Sequence, residues 1–324
     1  LIKYNYLMKR ILLYNSGGGL GDSIQLFTLI LSLQKYYKSS EFFYIGAHEN
    51  HFEGKLKEFG IKVTSLKLDI RYFGFRWWHL FITKKRFLDQ NFQPIDLIID
   101  LQSKFRNTII LKKIPHKNFY SSTFGYKFCS NKAKYSSKKH LVNLSKFLKT
   151  EIELYNYDLD LIPKKYTLEA ERLLPSNNYI GFSITQGNIY RKKSWAIENF
   201  IYLAKKLSNE NKTPVFFIEK NKSSLAEKIK AQIPLAIFPE QNSNISCPAL
   251  VTALSSRLDL AISIDNGVMH MMGLAKIPMI VLFGPTDSDK FAPKINNIQI
   301  LDSKKIHKSN DINTITVEEV EKLI

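Results

Sequence analysis

The sequence predicts an α/β protein built as two Rossmann-like domains facing each other across a cleft. Three observations predict it. A short apolar run near the start ends in glycines, in "RILLYNSGGGLGD" (10–22). Strand, helix and strand patterns then follow with short links, and the same pattern begins again in the second half. Between the halves, "LIPKKYTLEAERLLPSNN" (161–178) has a proline near each end and no strand pattern, which puts the domain boundary there.

Taken in order, "RILLYNS" (10–16) reads as a buried strand, because a short apolar run stops at glycine. From Asp22 to Tyr37 the apolar residues fall at helical spacing, which predicts a helix. "EFFYIGA" (41–47) and "IDLIIDLQ" (95–102) read as further strands of a parallel sheet. In the second half the strands are "YIGFSI" (179–184), "PVFFIEK" (214–220), "DLAISID" (259–265) and "PMIVLFG" (278–284). Helices are predicted over 194–210 and 267–276, and "TVEEVEKLI" (316–324) is an amphipathic helix opened by a threonine cap and glutamates.

Composition narrows the function classes. A chain of 324 residues with 44% hydrophobic content can bury a full core. Two cysteines, Cys129 and Cys247, make neither a disulfide framework nor a zinc site and read as thiols in a reducing cytosol. The opening 17 residues hold an apolar run too short for a secretory signal, and Met8 reads as the start. No apolar stretch approaches the ~20 residues of a membrane span, so the expected location is cytoplasmic. The formal charge of +18 favours an anionic partner. Eight of the 47 basic residues are arginine, and readers of base edges lean on arginine, so no nucleic-acid partner is expected. "RYFGFRWWHLFITKKRF" (71–87) interleaves rings with cations. It reads either as a membrane-surface or acceptor-lipid contact, or as an ordinary helix with one aromatic core face.

The glycine loop raises the chemical question. A dinucleotide fingerprint needs glycine at its first, third and sixth positions; Gly17 and Gly19 fit, but the sixth is Asp22. A carboxylate at that helix start repels a pyrophosphate, and the Gly-Lys-Ser/Thr ending of a phosphate loop is absent. The glycines instead let a substrate approach the backbone, while Asp22 offers one carboxylate. It reads equally as a general base or as a first-turn aspartate that caps the helix.

The second half suits phosphate better. In "SIDNGVMH" (263–270) a strand ends at Asp265, and Asn266-Gly267 opens a helix whose free N–H groups fit a diphosphate. His270, three residues beyond Gly267, is placed on the exposed face of the first turn, as a phosphate ligand or a structural histidine. "FGPTD" (283–287) forms a turn at the same sheet edge. In "TQGNIYRKKSW" (185–195), one of Arg191, Lys192 and Lys193 could neutralise a leaving diphosphate.

"GGGLGD", "GNIYRKKSW" and "DNGVMH…FGPTD", with "IDLIIDLQSKFR" (95–106) and "VEEVEKL" in the same order, resemble glycosyltransferase family 9, the ADP-heptose:lipopolysaccharide heptosyltransferases. The resemblance spans nearly the whole chain. It implies a GT-B fold with an acceptor-binding domain over 1–165 and a nucleotide-sugar-binding domain over 166–324. It implies Asp22 as the base, Lys193 on the donor diphosphate, and Thr185, Asp265, Asn266, Gly267 and His270 around the donor. The implied reaction is inversion by a single displacement, without metal or other cofactor. On the acceptor side stand Gly18, Gly19 and Gly21, while Gln102, Lys104 and Arg106, just past a strand end, read equally as contacts to an acidic sugar such as Kdo or as solvated surface charge. The partners expected are a nucleotide sugar, an anionic glycolipid and the inner face of the cytoplasmic membrane.

The chain also departs from the family pattern. Asn266 stands where the family has Thr or Ser, Ala196 where it has Pro, and no glycine ends "PVFFIEK". Lys222 lies near the expected ribose-binding acid, with Glu219 as its substitute. The same fold with another nucleotide sugar, serving a capsule or a protein glycan, or a degenerate GT-B binding module, are the alternatives.

Overall fold

In the computed structural model, residues 8–102, 104–135, 137, 140–187 and 189–324 are described. Residues 1–7 ahead of Met8, Ser103 of the 95–106 segment and Asn188 of the 185–195 loop lie outside the described residues. The chain divides into two compact units, Leu1–Tyr157 and Asp158–Ile324. The helix Lys164–Leu173, drawn from the proline-bounded segment, falls in the second.

The first unit is a sheet of parallel strands β1 (Arg10–Tyr14), β2 (Glu41–Ile45), β3 (Thr64–Ser65), β4 (Ile95–Asp100) and β5 (His116–Ser121), ordered β3-β2-β1-β4-β5. The second holds β6 (Tyr179–Ser183), β7 (Thr213–Phe216), β8 (Leu260–Ile264), β9 (Met279–Phe283) and β10 (Ile298–Asp302), ordered β10-β9-β8-β6-β7 and also parallel. Parallel neighbours need crossovers, so helices cover both faces and the central strands are apolar throughout. Thus Ile11 to Tyr14 and all six residues of β4 are buried. In each unit the strand order reverses once, between β1 and β4 and between β6 and β8. At such a reversal the chain leaves neighbouring strands in opposite directions and opens a crevice at their carboxyl ends.

The structure differs from the sequence reading in identifiable places. The helix read over 22–37 begins at Leu20 and is broken at Gln25–Leu26, giving Leu20–Ile24 and Phe27–Tyr36. Strand "PVFFIEK" ends at Phe216. Strands β3, β5 and β10 escaped notice: β3 is two residues long, while β5 and β10 lie at sheet edges and begin with half-exposed or exposed residues. Segment 71–87 is helical only from His79. Its helix turns one face inward through His79, Thr83 and Phe87, and Phe73 is buried ahead of it, while Trp77, Trp78 and Phe81 are exposed. The closing helix Val317–Glu321 has the capping reading intact: Thr316 Oγ1 accepts from Glu319 N–H at 3.3 Å, and Glu319 accepts from Thr316 N–H at 2.8 Å.

The core of the second unit holds three stacked rings, with Phe216 between Phe182 (4.9 Å) and Phe238 (5.7 Å). Phe216 is fully buried. Phe216→Ala is expected to lower stability by about 3–5 kcal/mol, read by urea unfolding, because the cavity adds to the lost burial.

Candidate functional site

Both reversal points carry polar clusters, and most of the sequence-derived candidates lie in them. In the first unit, the loop after β1 folds back through the side chain of Asn15. Its Oδ1 accepts from Gly17 N–H at 2.9 Å and from Gln102 Nε2, which arrives from the end of β4. Ser16 Oγ donates to Gln102 Oε1 at 2.7 Å, and Tyr44 donates to the Asn15 carbonyl at 2.9 Å. Gln102 therefore braces the glycine loop and is committed on both ends of its amide. Burial, together with the nearby charge of Asp22, pushes the Tyr44 phenol above its ordinary range.

Asp22 is half-buried at the third position of its helix, and its carboxylate accepts from Gly19 N–H at 3.2 Å. The capping contact is thus real, yet it occupies one lone pair of several and leaves acceptor capacity at the loop. The glycines are required by close approach. A Cβ on Gly17 would lie 2.6 Å from Asp22 Cγ, and one on Gly18 would lie 2.6 Å from His48 Cδ2. Gly18 and Gly19 are exposed, whereas Gly21 is buried in the helix. The buried His51 sets its Nε2 3.2 Å from the Gly18 carbonyl and its Nδ1 3.3 Å from Glu49. Of the other acceptor-side candidates, Arg106 donates to Gly74 O at 2.9 Å, and Lys104 is exposed.

In the second unit, Asn266 does for β8 and β6 what Asn15 does for β1 and β4. Its Oδ1 caps the helix Gly267–Leu274 by accepting from Met269 N–H at 2.8 Å. Its Nδ2 donates to Ser183 Oγ at 2.7 Å and to Thr185 O at 2.9 Å. The N–H groups of Gly267 and Val268 have no intrahelical acceptor by helix geometry. Of the three cations in the 185–195 loop, Arg191 and Lys192 are exposed, whereas the Lys193 side chain is only 13% exposed. Its ammonium pairs with Asp265, whose carboxylate also accepts from Thr286 Oγ1 at 2.7 Å. "FGPTD" thereby joins the cluster through Thr286. Thr185 Oγ1 donates to Glu219 at 3.1 Å, and Lys222 lies 3.1 Å from the same carboxylate.

His270 is 6% exposed, which corrects its placement on an exposed face. The helix from Met269 to Gly273 is buried all round, so no turn of it faces solvent on that side. Ala196, where the family pattern has proline, donates its N–H to Asn313 Oδ1 at 2.8 Å, a bond that proline could not make. No three His, Cys, Asp or Glu side chains gather at metal-binding distance among the described residues. No helix there is long and apolar enough to cross a membrane.

Sequence reasoning missed His48, His51 and Glu240, because their neighbours arrive from distant segments, and it placed "FGPTD" at this edge without singling out Thr286. Glu240 follows the bridge between Ile237 and Val215, is buried, and accepts from Ser246 Oγ at 3.2 Å. Burial first, then the charge of Glu219, pushes its carboxyl from 4.5 up to about 7. An acid raised by folding contributes its stability below the unfolded value and loses it as pH rises through the folded one. Glu240→Gln is therefore expected to exceed the parent protein in stability by on the order of 2–3 kcal/mol at pH 8. The difference should shrink toward zero at pH 5; urea unfolding at the two pH values measures both.

The family model of glycosyltransferase family 9 (heptosyltransferase) matches residues 84–320. Lipooligosaccharide heptosyltransferase 2 of Campylobacter jejuni is 22% identical over 281 residues, covering 85% of this chain and 81% of the relative. A family 9 glycosyltransferase from Veillonella parvula superposes with a TM-score of 0.69 at 18% identity, over 97% of this chain and 96% of that one. The E. coli heptosyltransferase WaaC, solved with ADP, gives 0.65 at 15% identity over 97% and 96%. WaaC with ADP-2-deoxy-2-fluoro heptose gives 0.65 at 15% over 97% and 98%. These likenesses show the GT-B fold.

Proposed function

The chain belongs to glycosyltransferase family 9, the heptosyltransferase family, and from that premise we propose that it transfers heptose from ADP-heptose to a lipopolysaccharide core or a related anionic glycan. The reaction is an inverting single displacement. The acceptor oxygen attacks the anomeric carbon as Asp22 takes its proton, the bond from that carbon to the diphosphate oxygen breaks, and ADP leaves with the electron pair. Lys193, with the N–H groups of Gly267 and Val268, meets the charge that develops on the diphosphate. The protein works in the cytoplasm, at the inner face of the membrane where a lipid-borne acceptor is found.

One observation carries this reading. Among three neighbouring cations only Lys193 turns inward, onto Asp265 and beside the start of the helix Gly267–Leu274. A largely enclosed cation beside helix N–H groups that lack intrahelical acceptors suits an anionic ligand. The buried Asp265 holds that ammonium in place until the diphosphate arrives. Glu219, already gathered with Thr185, takes the ribose hydroxyls. Support for the donor comes from the ADP held by the solved WaaC relative, and for the acceptor from the Campylobacter relative's name.

Two measurements test it. Asp22→Asn keeps an oxygen for Gly19 N–H, so the loop should persist while turnover falls roughly 100-fold or more at saturating donor and acceptor. Wild-type turnover in that variant would remove Asp22 as the base. ADP at a hundredfold excess over its dissociation constant should stabilise the protein by about 2.7 kcal/mol, with or without EDTA. UDP, GDP and CDP should not; a response to one of them instead would change the donor.

A further inference from the structure

Tyr72, Trp77, Trp78, Phe81, Phe105 and Phe124 are 61%, 53%, 54%, 81%, 42% and 61% exposed. They come from three separate segments that follow β3, β4 and β5. In a parallel sheet those segments all leave from one edge, the same edge that carries the glycine loop after β1. The rings meet there: Phe105 lies 6.4 Å from Trp77, 5.4 Å from Phe124 and 5.8 Å from Phe128, centroid to centroid. Trp78 and Phe81 continue the surface, with Phe81 N–H bonded to Trp78 O at 3.1 Å. Tyr72 and Phe124 are held outward on backbones with φ of 51° and 48°, a region that side-chain-bearing residues rarely adopt.

Charge singles out the occupant. Between Asp100 and Glu151 the sequence has eleven lysines and one arginine and no acid. Between Asp69 and Asp89 it has Arg71, Arg76, Lys84, Lys85 and Arg86, again with no acid. All five are exposed, as are Lys104 and Lys127 beside the rings. A protein partner with a matching apolar pocket would have to be acidic opposite the exposed Arg71, Arg76, Lys104 and Lys127. A bilayer containing anionic lipid supplies both halves at once, headgroups for the cations and the interface for the tryptophans.

We propose that the carboxyl edge of the first unit docks on an anionic lipid bilayer, seating the rings of Trp77, Trp78, Phe81, Phe105 and Phe124 at the headgroup level within a rim of lysine and arginine. This deepens the proposed function and rests on its lipid-borne acceptor, because the docking edge is the one that presents Asp22. The arrangement confines the search for acceptor to the membrane plane.

The chain has three tryptophans, and the third, Trp195, is buried and donates to Ile315 O at 2.8 Å. Changes in intrinsic fluorescence with lipid therefore report Trp77 and Trp78. The full-length protein, without donor or acceptor, is mixed with vesicles of phosphatidylcholine alone or with one quarter phosphatidylglycerol. Expected are sedimentation with the anionic vesicles only, quenching of the tryptophans by brominated acyl chains, and roughly tenfold weaker binding in 0.5 M salt. The variant Trp77→Ser/Phe81→Ser/Phe124→Ser should bind at least roughly tenfold more weakly, with an unchanged melting temperature. Binding unaffected by the triple variant, binding indifferent to phosphatidylglycerol, or absence of quenching would each overturn the proposal. Quenching is read on the unsubstituted protein, so a variant that fails to fold leaves the test standing. Transfer to a water-soluble acceptor glycan and the ADP response need no vesicle, so failure here is separable from failure of the transferase reading.

Discussion

Both candidate clusters depend on a constraint of parallel sheets: where strand order reverses, two loops leave the same edge in opposite directions, and their backbone groups need partners. Each unit meets that need in the same way, with an asparagine just past a central strand. Asn15 ties the glycine loop to Gln102 across β1 and β4. Asn266 ties the helix Gly267–Leu274 to Ser183 and Thr185 across β8 and β6. An amide side chain is suited to this because it offers donors and an acceptor at once. With the crevice bridged at its base, Asp22 and Asp265 sit on segments that these amides tie to the neighbouring strand.

The two carboxylates are then used differently. Asp22 sits half-buried in a loop of glycines, with one contact to Gly19. Asp265 is buried, bound by Lys193 and Thr286. Breaking such a buried pair from one side is costly, about 3–5 kcal/mol, because the remaining charge is left without a partner. Lys193 is accordingly a fixed charge, whereas the neighbouring Arg191 and Lys192 are solvated.

Much of this was legible in the sequence because it is local. The glycine loop, the Asp-Asn-Gly turn and the threonine-capped final helix each occupy fewer than about ten residues, and their chemistry follows from spacing. The central strands were legible because burial on both faces makes them uniformly apolar. What escaped is what depends on distant partners. Nothing near His48 announces that it packs on Gly18, and nothing near Glu240 announces Glu219. The edge strands β5 and β10 mix polar residues with apolar ones because solvent reaches part of them. In segment 71–87 the composition was plain, but which rings turn inward is decided by the packing around Phe73 and Phe87, not by spacing.

The exit of the Lys193 loop is held by residues far along the chain. Trp195 donates to Ile315 O across 120 positions, and Ala196 donates to Asn313 across 117. During synthesis at a ribosome, the first unit has all its strands as soon as β5 has emerged. The loop that fixes Lys193 must wait for residues 313 and 315. The order of emergence thus makes the loop around Lys193 and Asp265 the last of these clusters to form, after the glycine loop of the first unit can already be complete.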